Sequence, residues 1–258
     1  MLKFAANLSM LFNEVPFLDR FGAAAKAGFK GVEYLFPYDY PKAELAGLLK
    51  EHGLQQVLFN LPPGDWNAGE RGIACLPNRV AEFKDGVARA IDYAQALGNT
   101  QVNCLSGLIP AGMSREEAHA TLVSNFTYAA RELKKAGIRL IVEPINYYDM
   151  PGFALNRSAE ALALFDRTGE DIGLQYDIYH MQRMEGELAA TMERILPRIA
   201  HIQIADNPGR HEPGTGEINY AYLFRRLAEL GYKGWIAAEY RPKAGTAEGL
   251  GWLSTLAG

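Results

Sequence analysis

The feature that most constrains this chain is an eightfold rhythm in which short, β-rich apolar runs alternate with longer stretches of helical period. The runs are read at Lys3–Asn7, Gly31–Tyr34, Gln56–Asn60, Thr100–Leu105, Arg139–Glu143, Gly173–Asp177, His201–Ala205 and Trp235–Glu239. Between them, Val80–Leu97 and Arg115–Ala136 carry helical spacing with Ala, Leu and Glu dominant. Ser114 followed by Glu117 reads as a capping box. Gly28, Gly53, Gly98, Gly137 and Gly231 fall where a glycine just past a helix end is expected. Strands alternating with helices imply a parallel sheet, and eight is the number that closes one into a barrel. The predicted fold class is therefore α/β, a single-domain (β/α)8 TIM barrel over residues 1–258. An open doubly wound sheet is the alternative. It would call for a G-x-G-x-x-G after the first strand or a composition break marking a second domain, and the sequence has neither.

Apolar residues make up 48 % and charged residues 22 %, enough to bury a full core. A net charge of −4 without any Lys/Arg run argues against a nucleic-acid partner; Lys134-Lys135 and Arg225-Arg226 read as solvated helix faces. Met1–Met10 enters structure with no basic segment ahead of an apolar one, and no run approaches the roughly 18 apolar residues of a membrane span. Cys75 and Cys104 lack metal-ligand spacing and are expected to be buried, reduced thiols. The expected compartment is the cytoplasm. A homo-oligomer is compatible with the Tyr- and Phe-bearing helix surfaces, which do not demand one.

The ends of the last four strands carry the chemistry. Three runs finish in carboxylates, Glu143, Asp177 and Glu239, and the strand between the last two offers Gln203 near its end. Side chains two apart share a strand face, so Ile141 with Glu143 and Ala237 with Glu239 point the same way. If the apolar partners fill the barrel, the acids face its mouth. Clustered like charges are costly, and a hard divalent cation with oxygen ligands, Mg²⁺ or Mn²⁺, relieves the conflict. Zinc is disfavoured by the absence of Cys ligands and clustered His. For any one acid alone, an ion pair near the surface is the simpler reading; four polar residues at the same end of consecutive strands favour the metal. Two long Gly/Pro-rich loops, Leu61–Asn78 and Asp206–Asn219, leave the same end, where barrel enzymes keep their active sites.

Ile141-Val142-Glu143-Pro144-Ile145-Asn146, Gln175-Tyr176-Asp177-Ile178-Tyr179-His180, His201-Ile202-Gln203-Ile204-Ala205-Asp206 and Gly216-Glu217-Ile218-Asn219-Tyr220 resemble the hydroxypyruvate isomerase family. So do Asn7-Leu8-Ser9-Met10, Gly64-Asp65-Trp66 and Gly69-Glu70-Arg71-Gly72-Ile73-Ala74. The resemblance covers essentially the whole chain; 2-oxotetronate isomerase shares most of these motifs, and the wider group holds the ketose 3-epimerases and xylose-isomerase-like barrels. It implies an isomerase in which Glu143 and Glu239 are proton donor and acceptor and also bind metal, with Asp177 and Gln203 completing the coordination. The related epimerases usually carry histidine where this chain has Gln203, a neutral oxygen donor that keeps a hard metal compatible. His180 and Arg210 match positions that touch substrate oxygens in the epimerases. Moving a carbonyl between neighbouring carbons passes through an enediolate, which a carboxylate on each face could serve.

A hydroxypyruvate-like substrate carries a carboxylate, so a cation must receive it. Arg210 and Arg71 are the candidates, and Arg210 is the better placed on sequence alone. Trp66 is read as part lid and part loop anchor, and His211 as either an oxygen contact or a loop brace. Glu33, which ends its strand without a partner acid in the next, is read as a supporting residue, and Asp206 as a ligand-orienting group or a loop cap. His201 is expected to open the seventh strand as a structural hydrogen-bonder, and His52 and His119 to face solvent. Phe12, Phe36, Tyr38 and Phe59 are pocket wall or core. Against the isomerase stand a longer acid or a ketose as substrate, a barrel-type DNA phosphodiesterase, which would use several zinc ions and many histidines, and a binding protein without turnover.

Overall fold

The structure, a computed structural model, describes residues 1–256. Its strands are β1 (Lys3–Asn7), β2 (Gly31–Glu33), β3 (Gln55–Leu58), β4 (Gln101–Asn103), β5 (Arg139–Val142), β6 (Gly173–Asp177), β7 (Ile199–Ile204) and β8 (Trp235–Ala238). All pair in parallel, in the order β3-β2-β1-β8-β7-β6-β5-β4. The two ends of that sheet meet through single bonds: Leu61 N–H donates to Asn103 O at 2.8 Å and Asn103 N–H to Phe59 O at 3.0 Å. The barrel is thereby closed.

Outside it run α1 (Arg20–Lys26), α2 (Lys42–His52), α3 (Val80–Leu97), α4 (Arg115–Lys135), α5 (Ser158–Thr168), α6 (Ile178–Met184), α7 (Leu188–Ile195) and α8 (Tyr220–Glu229), followed by the short α9 (Thr246–Gly249) and α10 (Trp252–Thr255). In α3 the buried residues Phe83, Val87, Ala90, Ala94 and Leu97 recur at three- and four-residue steps, one apolar stripe laid on the sheet. Gly98, left-handed at φ 67°, then ends the helix. Ser114 Oγ accepts from Glu117 N–H at 3.1 Å to open α4. The sixth crossover is split into α6 and α7, and α6 is capped by Asp177 itself, whose Oδ1 accepts from Tyr179 and His180 N–H.

Inside the barrel, Ala5, Val57, Leu58, Ile141 and Ala237 form a small apolar cluster apart from the main core. Asn7, Glu143 and Glu239 stand two residues beyond Ala5, Ile141 and Ala237, and so face the same way, above that cluster. The mouth is polar, and below it the apolar cluster shares the interior with buried Gln175, His201 and Gln203. No helix of the described residues is long and apolar enough to cross a membrane. Both cysteines are buried and unpaired.

Candidate active site

Glu143 follows β5, Asp177 ends β6, Gln203 lies near the end of β7 and Glu239 follows β8, so the barrel brings all four to one mouth. Ligand atoms of Glu143, Asp177, Glu239 and His180 lie within 4.8 Å of one another, and all four residues are buried. Burial pushes these carboxyls up from their usual range. The Asp177 carboxyl rises to about 6 against the pull of Arg210, and the Glu239 carboxyl to about 8. Burial and then the neighbouring Glu239 and Asp177 charges raise the Glu143 carboxyl well above its usual range. Glu143 Oε1 and Asp177 Oδ2 accept no hydrogen bond from the protein. Buried, crowded and unsatisfied carboxylate oxygens fit a hard divalent cation, whose charge would relieve their mutual repulsion.

Gln203 sits in a buried polar lattice. Its Nε2 donates to Glu33 Oε1 at 2.7 Å, and its Oε1 accepts from Gln175 Nε2. Glu33 also accepts from Asn7 Nδ2 at 2.8 Å and is bonded to His201 Nε2 at 2.7 Å. These bonds fix the Gln203 amide with its nitrogen on Glu33, leaving the oxygen as the donor that a cation can use. Asn7 bonds Glu239 Oε1 as well, at 3.1 Å.

On the far side, Arg210 Nη2 donates to Glu239 Oε2 at 2.8 Å, and its guanidinium lies over the Tyr179 ring at 5.1 Å. His180 presents Nε2 at 3.7 Å from both Glu143 Oε1 and Asp177 Oδ2. Burial, with Arg210 and Arg183 nearby, holds its imidazole well below the usual histidine range, so it is neutral. A cavity of about 850 Å³ opens over these groups, walled in part by Trp66, Arg71, Ile145, Asp149 and Arg241.

The xylose isomerase-like TIM barrel family matches this chain over residues 21–256. The chain belongs to that family. It is 57 % identical to a hydroxypyruvate isomerase of Escherichia coli, covering 98 % of each chain. It is 49 % identical to a 2-oxo-tetronate isomerase of Cupriavidus necator, covering 100 % of each. A crystal structure from Brucella melitensis described as an AP endonuclease of family 2 superposes with a TM-score of 0.96 at 47 % identity, covering 99 % of each chain. A D-allulose 3-epimerase from Methylomonas sp., solved with D-allulose, shares the fold at 23 % identity and a TM-score of 0.76, covering 99 % of this chain and 89 % of its own.

Within this family barrel the residues singled out from sequence separate into two groups. Glu143, Gln203, Glu239, His180, Arg210, Arg71 and Trp66 line the cavity, and Asp177 stands buried against His180 and Glu143. His211 does not line it: its Nδ1 bonds Arg241 O at 2.8 Å, and its backbone bridges Asp206, so it braces the loop. Asp206 caps that loop too, accepting from Asn207, Gly214 and Ile218 N–H. β7 begins two residues earlier than expected, which puts His201 inside the strand, on the same face as Gln203 and bonded to Glu33. His52 and His119 are half-buried rather than solvent-facing; His119 Nε2 lies 3.2 Å from Ala154 O. Phe12, Phe36, Tyr38 and Phe59 pack around the site without lining it.

Sequence reasoning missed Asn146, Asp149 and Tyr179. They sit on the loop after β5 and on the first turn of α6, and are tied together by Tyr179 Oη–Asp149 Oδ2 at 2.8 Å. Asn146 closes the Ile141–Asn146 motif, and Tyr179 adjoins His180; both positions stood inside the quoted motifs.

Proposed function

We propose that the chain is a metal-dependent aldose–ketose isomerase interconverting hydroxypyruvate and 2-hydroxy-3-oxopropanoate (tartronate semialdehyde). The observation that carries this reading is the pair of buried carboxyls, Glu143 and Glu239, presented to one cavity in unequal surroundings. The high identity to isomerases of small hydroxy-carbonyl acids supports it.

Glu239 is paired with Arg210, whereas Glu143 Oε1 has no partner in the protein. A nearby cation favours the ionised form, so Glu239 is the proton acceptor and Glu143 the donor. Starting from hydroxypyruvate, Glu239 takes a proton from C3, leaving an enediolate across C2 and C3. Glu143 delivers a proton to C2, the hydroxyl proton passes from O3 to O2, and the aldehyde forms at C3. His180, a neutral donor at Nε2, steadies the oxygen on which charge develops. A divalent cation on Glu143, Asp177, Gln203 and Glu239, Mg²⁺ or Mn²⁺ by the oxygen donors, supplies Lewis-acid stabilisation of that charge. Arg71, Arg210 and Trp66 border the place of the substrate in the cavity. A single histidine among three carboxylates is the chemistry of proton transfer, not of a multi-zinc phosphodiesterase. The unpaired cysteines accord with a reducing, cytoplasmic setting.

A cavity of about 850 Å³ is generous for a three-carbon acid, which favours a four-carbon 2-oxotetronate as the second reading. Purified protein loaded with Mn²⁺ and assayed on both acids decides between them. Absence of isomerisation of either overturns the proposal. Glu143→Gln and Glu239→Gln are each expected to lower kcat about 10²–10⁴-fold.

A further inference from the structure

The two arginines picked out from sequence are in opposite electrostatic states. Arg210 is balanced in charge, though its buried Nε has no partner: its Nη2 donates to Glu239 at 2.8 Å, and its Nη1 stands 3.9 Å from Asp149. Arg71 pairs with no carboxylate among the described residues. Its Nη1 is fixed by two backbone carbonyls, Trp66 O at 3.0 Å and Glu70 O at 2.7 Å, and its guanidinium stacks on the Trp66 ring at 3.9 Å. The nearest acid in sequence, Glu70, is turned away and taken by Arg79 and by Asp65 N–H. Arg71 is thus a half-buried cation on the cavity wall, held at one nitrogen and on one face, with its remaining donors unspent.

We propose that Arg71, not Arg210, receives the substrate carboxylate, which makes the loop between β3 and α3 the element that selects acids over neutral sugars. This rests on the isomerase reading and adds the determinant of substrate class. A guanidinium already positioned by packing loses little freedom when it pairs, and its planar fork suits a carboxylate. Arg210 keeps its separate task at Glu239. Arg241 also lines the cavity but is exposed, and its backbone N–H supports Arg210 O at 2.8 Å.

The test uses a pair of ligands that differ only in the acid group and are not isomerised. Glycerate and glycerol are titrated calorimetrically into Mn²⁺-loaded wild-type protein, Arg71→Met, Arg71→Lys and Arg241→Met, with glycerol read by competition against glycerate. Arg71→Met is expected to weaken glycerate about tenfold or more, with Arg71→Lys intermediate and glycerol unchanged. KM for hydroxypyruvate rises in parallel while kcat changes little. Equal losses on both ligands, an effect on Arg241→Met alone, or failure of wild-type protein to prefer glycerate would each overturn it. Because glycerate binding needs no turnover, a wild-type protein that binds glycerate through Arg71 yet isomerises neither acid would sink the functional reading and leave this one standing.

Discussion

Asn146 Nδ2 lies 2.6 Å from His180 Nδ1 and donates to it. The direction is fixed, because Asn146 Oδ1 already accepts from the Asp149 backbone N–H at 2.9 Å, and a backbone N–H cannot reverse its role. A neutral histidine that accepts at Nδ1 must carry its proton at Nε2. His180 therefore aims an N–H at Glu143 and Asp177 and acts as a donor, which accords with the proposed cation ligands being the oxygen donors Glu143, Asp177, Gln203 and Glu239.

Replacing that amide with an acceptor should reverse the imidazole. In Asn146→Asp the proton moves to Nδ1, and a lone pair faces the carboxylates and the substrate oxygen. The expected result is a fall in kcat of roughly 10–100-fold with metal affinity largely kept. Nitrogen-15 shifts of His180 should show the exchanged tautomer; unchanged shifts together with unchanged kcat would remove the assignment.

The crowded carboxyls set a pH dependence of stability in the metal-free protein. Glu239 is raised to about 8 and Asp177 to about 6, above their unfolded values, so between those limits the folded state holds more protons than the unfolded one. Stability must then fall as pH rises from about 5 to 8, by at most about 1.4 kcal/mol per pH unit for each proton concerned. Thermal unfolding with chelator should show Tm declining across that range, and Mn²⁺ should flatten the decline by replacing the protons. A metal-free Tm that climbs toward pH 8 would contradict it.

Much of this was readable in the sequence because barrel geometry repeats. Strand ends came within two residues of the observed ones since apolar runs and glycine stops are local signals, and Glu143, Asp177, Gln203 and Glu239 end strands that must neighbour one another. What escaped was set by long-range partners. Glu33 looked isolated because Asn7 stands beside it on β1 as an amide, not an acid, and Gln203 and His201 reach it from β7 across the barrel interior. The pairing of Arg210 with Glu239 was equally hidden, because nothing local in the sequence announces it. His211 stood beside Arg210 in sequence, yet the turn of the loop sends its ring to Arg241.

Glu33 is expected to act at a distance on both fold and metal. Glu33→Leu strands three buried donors, those of Asn7, Gln203 and His201, at about 1 kcal/mol or more apiece. Urea unfolding should register a loss of about 3 kcal/mol or more. The Gln203 amide, no longer pinned, should also bind Mn²⁺ more weakly by calorimetry, whereas a purely structural role would lower stability and leave metal affinity intact.

Gly72 links the loop that carries Arg71 to the end of β4. Its φ is 103°, and a Cβ built on it would lie 2.4 Å from Leu105 O, a backbone atom that cannot swing aside. Gly72→Ala should therefore cost roughly 1–3 kcal/mol and lift the loop, carrying the neighbouring arginine with it. The proposed cation ligands lie at or just beyond the ends of β5 to β8, away from this contact. KM for the acid should consequently rise while the Mn²⁺ dissociation constant stays put. A variant that loses metal and substrate together would show that this loop supports the whole mouth, not the carboxylate seat alone.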